Sequence, residues 1–334
     1  MNSILLLVIL SAYLAVLFYI AYWAEKKGNS KWTNNPYIYT FSLAVYCTAW
    51  TYYGSVGVAA DSGLSYLPIY LGPVIIAPSW ILILRKIIRI SRVNKIASIA
   101  DFISLRYGNS RFLGAIVTVI CLTGIIPYIA LQLKAIAETF HVVTKTEIRS
   151  FIFDDTTTYV AVALALFASY YGTRYVDASE KRKGIVNAVA LESVLKLVFF
   201  VIIGVYVTFF VFDGFDDIYQ KASLLEHFKE KNTIGGLAQA INWFLLCVLS
   251  MFAIFLLPRQ FQVGVVENNR ENHINTAVWL FPLYLLLFNI FVYPIAWGGN
   301  ILFDGQDVNS DAYSLLIPQL FNNQTLTVLV FLGG

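Results

Sequence analysis

Charge is scarce in this sequence. Only 13% of its residues are Asp, Glu, Lys or Arg, against about one quarter in soluble domains. With 58% hydrophobic residues over 334 positions, the apolar side chains are too many for a soluble core and must face lipid. Cysteine is scarce too. Cys47, Cys121 and Cys247 all fall inside apolar segments, which excludes a disulfide framework and a Cys-based metal site. His141, His227 and His273 stand far apart, at the ends of apolar runs or between them. No metal site, nucleophile–base pair or phosphate-cradling glycine loop can be assembled, so no catalytic residue and no cofactor is expected. The net charge of +3 is too small to point to nucleic acid.

What remains is long apolar runs. A helix needs roughly 20 apolar residues to cross a bilayer, and such runs cover about 4–23, 38–60, 66–88, 112–140, 158–173, 185–212, 237–257 and 274–303. The first lacks a basic leader and an A-x-A cleavage site, so it reads as an uncleaved span rather than a signal peptide. A last run, Thr325–Gly334, has about half the necessary length, and the chain is expected to stop inside a span. The class is an all-α polytopic membrane protein.

Orientation follows from the basic residues, which are retained on the cytoplasmic side. The loops 24–37, 85–111, 174–184 and 258–273 hold sixteen of the 23 Lys and Arg, and the loops between them hold five. The N-terminus is therefore expected outside, in a cell inner (plasma) membrane. The segment 89–111 reads as an interfacial helix, and Asp216–Lys231 as a short external one.

Two spans are not plain apolar rods. Tyr39–Ala60 carries Ser42, Tyr46, Cys47, Thr48, Thr51, Tyr52, Tyr53 and Ser55 with Gly54 and Gly57. Such residues either line a wet cavity beside unwound backbone or let helices pack closely. The span ending at Pro258 offers a second interruption, since proline ends or kinks a helix. Two charge pairs sit inside spans at i,i+4 spacing. Lys134/Glu138 reads as a snorkelling interfacial pair. Glu192/Lys196 lies about two turns into its span and reads as functional, because charges at that depth are costly.

The run FSLAVYCTAWTYYGSVGVAADSGLSYLPIYLGP (Phe41–Pro73) resembles the first core helix and following span of the sodium/solute symporter family. SIADFISLRYGNSR (Ser98–Arg111) and IPYIALQLKAIA (Ile126–Ala137) resemble that family's third core helix and the motif before it. Together with GTRYVDASEKRKGIVNAVALESVLKL (Gly172–Leu197), these runs are most similar to the symporter-type membrane domain fused to bacterial sensor histidine kinases. The resemblance covers nearly the whole chain. It implies one transmembrane domain over 1–334 with a LeuT-like inverted-repeat bundle: an extra helix (4–23), a first five-helix repeat (38–212) and the start of a second, incomplete repeat (237–334), cut within the eighth core helix. The broken helices of that fold, core helices one and six, fall on Tyr39–Ala60 and Leu237–Pro258. The family's sodium site matches the backbone of Val45 and Thr48, and an acidic residue of its fifth core helix matches Glu192. Where proline transporters of the family carry an aspartate, this chain has Cys47, so neither ordinary sodium coupling nor a substrate identity carries over.

The resulting expectation is a secondary-transporter module binding a small organic solute, an amino acid, by alternating access. Tyr46, Cys47, Trp50, Thr51 and Gln132 would line the solute site. Val45, Thr48 and Glu192 would serve the coupling ion, Na⁺ or H⁺. The alternative is the solute-sensing front end of a histidine kinase in a two-component system, with a cytoplasmic kinase region and a response regulator as partners.

Overall fold

A computed structural model describes residues 3–28, 30–145, 158, 162 and 183–334. Apart from residues 158 and 162, the span expected over 158–173 lies outside the described residues, as do Arg149, Arg174, Lys181 and Arg182. The chain is an all-α polytopic membrane protein. Among the described residues five helices are long and apolar enough to cross a membrane. The first three are α1 (Ser3–Lys27), α7 (Arg111–Thr144) and α8 (Lys183–Tyr206, continued by a wide turn to Val211). The fourth is α11 (Gly236–Leu256). The fifth is His273–Leu302, formed by α13 (His273–Asn289) and α14 (Val292–Leu302). A sixth forms if the segments Trp50–Tyr66 and Pro68–Ile81, joined with a 61° bend, count as one.

Local sequence explains the boundaries. Asn35 caps α2 (Pro36–Leu43), whose proline occupies the first turn, where a missing N–H is harmless. Ser110 caps α7 by accepting the Leu113 N–H. At 1.5 Å per residue, the 34 residues of α7 reach about 51 Å, more than the ~30 Å hydrocarbon core. The segment read as one interfacial helix over 89–111 is instead the end of α5 (Ile83–Val93) followed by α6 (Ile99–Arg106), which Ser98 caps. The turn between them contains Lys95 with φ 52°. The expected single helix Asp216–Lys231 is likewise two, α9 (Phe215–Ala222) and α10 (Phe228–Lys231), separated near His227, which has φ 62°.

The two ends of the bundle differ in chemistry. At the basic end Arg85, Arg89 and Arg92 reach Asn275, Glu271 and Asn268. This ties the 85–93 segment to the start of α13, as the grouping of basic loops required. At the opposite end the Ala60 carbonyl accepts from Lys231 and Asn300, and Ser310 donates to Asp61. Between the ends, α1 packs on α8, α2 on α8 and α13, and α4 (Pro68–Ile76) on α11. The last two helices are α15 (Tyr313–Leu320) and α16 (Gln324–Gly333), and α16 lies beside α8.

Candidate functional site at two helix breaks

Both polar spans are interrupted. In the first, α2 tightens into a 3₁₀ turn at Ala44–Tyr46, and Cys47 then takes extended backbone with ψ 104°. Helix resumes after Thr48 through a wide π-turn, Trp50–Gly54, into α3 (Ser55–Ser62). Thr48 acts as the cap of the second half. Its carbonyl accepts the Tyr52 N–H, and Thr51 Oγ1 reaches back to its N–H at 3.3 Å, as the third residue of a capping box does. In the second span Leu257 is extended with ψ 129°, and helix resumes at once in α12 (Pro258–Phe261) and a wide turn to Val266. A residue before proline is driven out of the helical region, and proline suits the first position of the new helix. Pro258 therefore breaks the span rather than closing it. Arg259, expected in a cytoplasmic loop, belongs to this second half, with Gln260 and Phe261 buried beside it.

The breaks touch. Gln260 Nε2 donates to the Leu43 carbonyl at 3.2 Å, and Tyr39 Oη to the Gly264 carbonyl at 2.7 Å. A further carbonyl of the first break, that of Cys47, accepts from Lys196 Nζ at 3.2 Å. Lys196 is 6% exposed and also pairs with Glu192 at 3.3 Å, whose side chain is 43% exposed. Unwound backbone at membrane depth needs such partners, because no water replaces the lost helix hydrogen bonds. One carbonyl on each side of the 3₁₀ turn is thus met by a side chain from another span.

The residues expected to line a solute site fall around this break in different roles. Cys47 is buried at its centre, and Thr51 is buried and holds the cap. Tyr46 is buried with its hydroxyl committed to the Ile69 carbonyl at 2.7 Å. Val45 lies in the 3₁₀ turn, packed against the core. Trp50 faces a cavity of about 400 Å³, which opens between the 49–54 turn, α7 and the segment before α15. Gln132 stands on α7 with its amide nitrogen buried and unpartnered. Glu192 is joined to the break only through Lys196. Sequence reasoning overlooked Gln260 and Arg259, although both follow directly on the proline it had marked.

The cavity carries charge of both signs. Lys134 and Glu138 pair at 3.5 Å on its α7 wall, and Asp311 enters from the 304–312 segment against Gly57, where a Cβ would meet its carboxylate. Burial, then the nearby Asp61 and Glu138, push the Asp311 carboxyl above its usual range. Folding therefore favours its protonated form, and that contribution fades as pH rises through the raised value. Asp311→Asn is expected to raise the melting temperature at pH 7 and to leave it nearly unchanged below about pH 3, where aspartate is protonated in both states. A melting series across that range checks it, and an equal effect at both ends would refute the charge explanation.

No family model matches the chain. Among curated proteins, one from Bacillus subtilis (strain 168) named "Uncharacterized symporter YhjB" is 25% identical over 255 residues, covering 73% of this chain and 47% of that protein. The chain spans about half the length of the curated relative it matches. The similarity supports a symporter-like membrane protein.

Proposed function

We propose that the chain is a secondary-transporter module of the sodium/solute symporter type that binds a small organic solute, in the first instance an amino acid, and works by alternating access. The observation that carries this reading is the meeting of two helix breaks inside the bundle, beside a cavity with charge of both signs. Broken helices leave backbone groups and half-helix ends free to meet solute and ions near mid-membrane. The solute would enter past Trp50 toward Cys47 and Thr51, with the N-terminus and the cavity outside the cell.

Coupling by H⁺ is favoured over Na⁺. Sodium would need several oxygen ligands at the break, yet the Cys47 carbonyl, which lies between the Val45 and Thr48 positions, already holds the Lys196 ammonium. Glu192 is the proton carrier in this reading. Its titratable and charged surroundings are Lys196 on its own helix, Tyr13 on α1 and Tyr284 on α13, while Cys47 and Arg259 lie beyond Lys196. The test is uptake of radiolabelled amino acids into proteoliposomes containing the full-length protein. Accumulation is expected under an inward proton gradient, and Glu192→Gln should abolish its pH dependence. No accumulation under either a proton or a Na⁺ gradient would sink the transport reading, while an unchanged pH dependence in the variant would remove Glu192 as carrier.

A second reading rests on the likeness of Gly172–Leu197 to kinase-fused modules. The same binding event would then be reported to a cytoplasmic catalytic region, and solute-dependent autophosphorylation of the full-length protein would distinguish it.

A further inference from the structure

Arg259 has an unusual position for a guanidinium. It follows the second break and stacks over the Tyr128 ring at 4.2 Å from the ring centre. It lies within electrostatic range of Tyr46 and Cys47. Its Nε is buried without a partner, and among the described residues it pairs with no carboxylate. Lys196 and Glu192, the other charged side chains at the break, pair with each other, so among the described residues the Arg259 guanidinium is left without a carboxylate partner. At this depth such a charge is costly unless something pairs with it.

The unpartnered groups around Arg259 have donors to offer. Among the described residues Tyr128 Oη is buried without a partner, and so is Gln132 Nε2, one turn further along the same face of α7. Leu131, Lys134 and Ala135, which follow on that helix, line the cavity. A solute descending from the cavity would therefore pass Gln132 before reaching Arg259. A guanidinium edge made of Nε and the adjacent Nη matches the two oxygens of a carboxylate, and among the described residues Nε has no partner of its own.

We propose that Arg259 is the anchor for the carboxylate of the transported or sensed solute, with the Tyr128 hydroxyl and the Gln132 amide as supporting donors. The assignment rests on the solute-binding reading above and narrows it to carboxylate-bearing solutes. An amide or ester of the same size leaves the guanidinium unpaired and is rejected.

Binding, measured on the full-length protein in detergent, separates this from transport. The probes are the proteinogenic L-amino acids together with the mono- and dicarboxylates from acetate to glutarate, each bound compound being compared with its amide. Acids are expected to bind about 10–100-fold more tightly than their amides, the worth of one charge-assisted hydrogen bond. Arg259→Gln should erase that difference, and Arg259→Lys, which keeps the charge but loses the fork, should retain only part of it. Should either variant fail to fold, the acid–amide comparison in the unaltered protein still decides. Equal binding of acid and amide there, a difference that persists in Arg259→Gln, or no binding by any probe would each overturn the assignment. Tight acid binding without proteoliposome uptake would leave it standing and count against transport alone.

Discussion

Replacing Lys196 by methionine is expected to make the protein sensitive to sodium. The substitution keeps the apolar stem but removes the ammonium, leaving the Cys47 carbonyl and Glu192 without the partner that joins them. Loss of a hydrogen bond to a charged group costs about 1.5–3 kcal/mol, and here the orphaned carbonyl lies where no helix bond can replace it. A small hard cation could then supply the missing charge, using the freed carbonyl and the Glu192 carboxylate as oxygen ligands. Melting temperatures in NaCl and in choline chloride provide the check. The unaltered protein should melt alike in both, while the Lys196→Met variant should melt lower in choline and recover part of the loss in sodium. A variant as stable as its parent, indifferent to the salt, would show that Lys196 is not the cation of the break.

A large loss of stability is expected at Gly72. A Cβ there would overlap Ser250 Oγ and lie 2.6 Å from the Cys247 carbonyl oxygen and 2.7 Å from the Met251 nitrogen. Two of these three atoms are backbone, so no side-chain rotation relieves the clash, and α4 and α11 would have to separate. The contact is also bonded, since Ser250 Oγ donates to the Pro68 carbonyl at 2.6 Å. Overpacking of this kind costs about 1–3 kcal/mol for small additions. Gly72→Ala should therefore lower the melting temperature clearly, and Gly72→Leu should yield little monodisperse protein on size-exclusion chromatography. Because α11 leads directly into the break at Leu257, the alanine variant should also bind solute more weakly. A Gly72→Ala protein with unchanged melting would mean that the two helices do not approach as described.

These positions show how far the sequence could be read. Broken backbone in Tyr39–Ala60 was legible, because hydroxyls and glycines at that density have no use against lipid. Its location at Cys47–Thr48 was not, since it depends on groups 149 and 217 residues away, Lys196 and Gln260, meeting the Cys47 and Leu43 carbonyls. The i,i+4 spacing of Glu192 and Lys196 was visible, but spacing cannot say which partner turns inward. The structure buries the lysine and leaves the glutamate half-exposed. Pro258 was seen as a helix end because proline stops a helix that precedes it. It equally well starts the next, and only the extended Leu257 with buried Gln260 shows the span continuing. Arg259 was then assigned to the loop by its charge. Trp50, expected to line a solute site, lines the cavity, while the Asp311 wall opposite was not legible, since Gly57 admits that carboxylate across more than 250 residues of sequence.

The lysine at the break also bears on energetics across the membrane. A sodium ion that enters with its solute and leaves on the other side brings the energy of its own gradient to each cycle. An ammonium fixed to α8 stays behind, so it contributes none and carries no net current of its own. On the proposed H⁺-coupled reading, a proton released or taken up within the Glu192–Lys196 pair would link solute movement to an external gradient. A zwitterionic solute would then move with one positive charge per proton, and the membrane potential would add about 2.3 kcal/mol per 100 mV. A simple monocarboxylate accompanied by one proton would cross with no net charge and ignore the voltage altogether. The voltage dependence of uptake would thus report both the stoichiometry and the charge of the cargo.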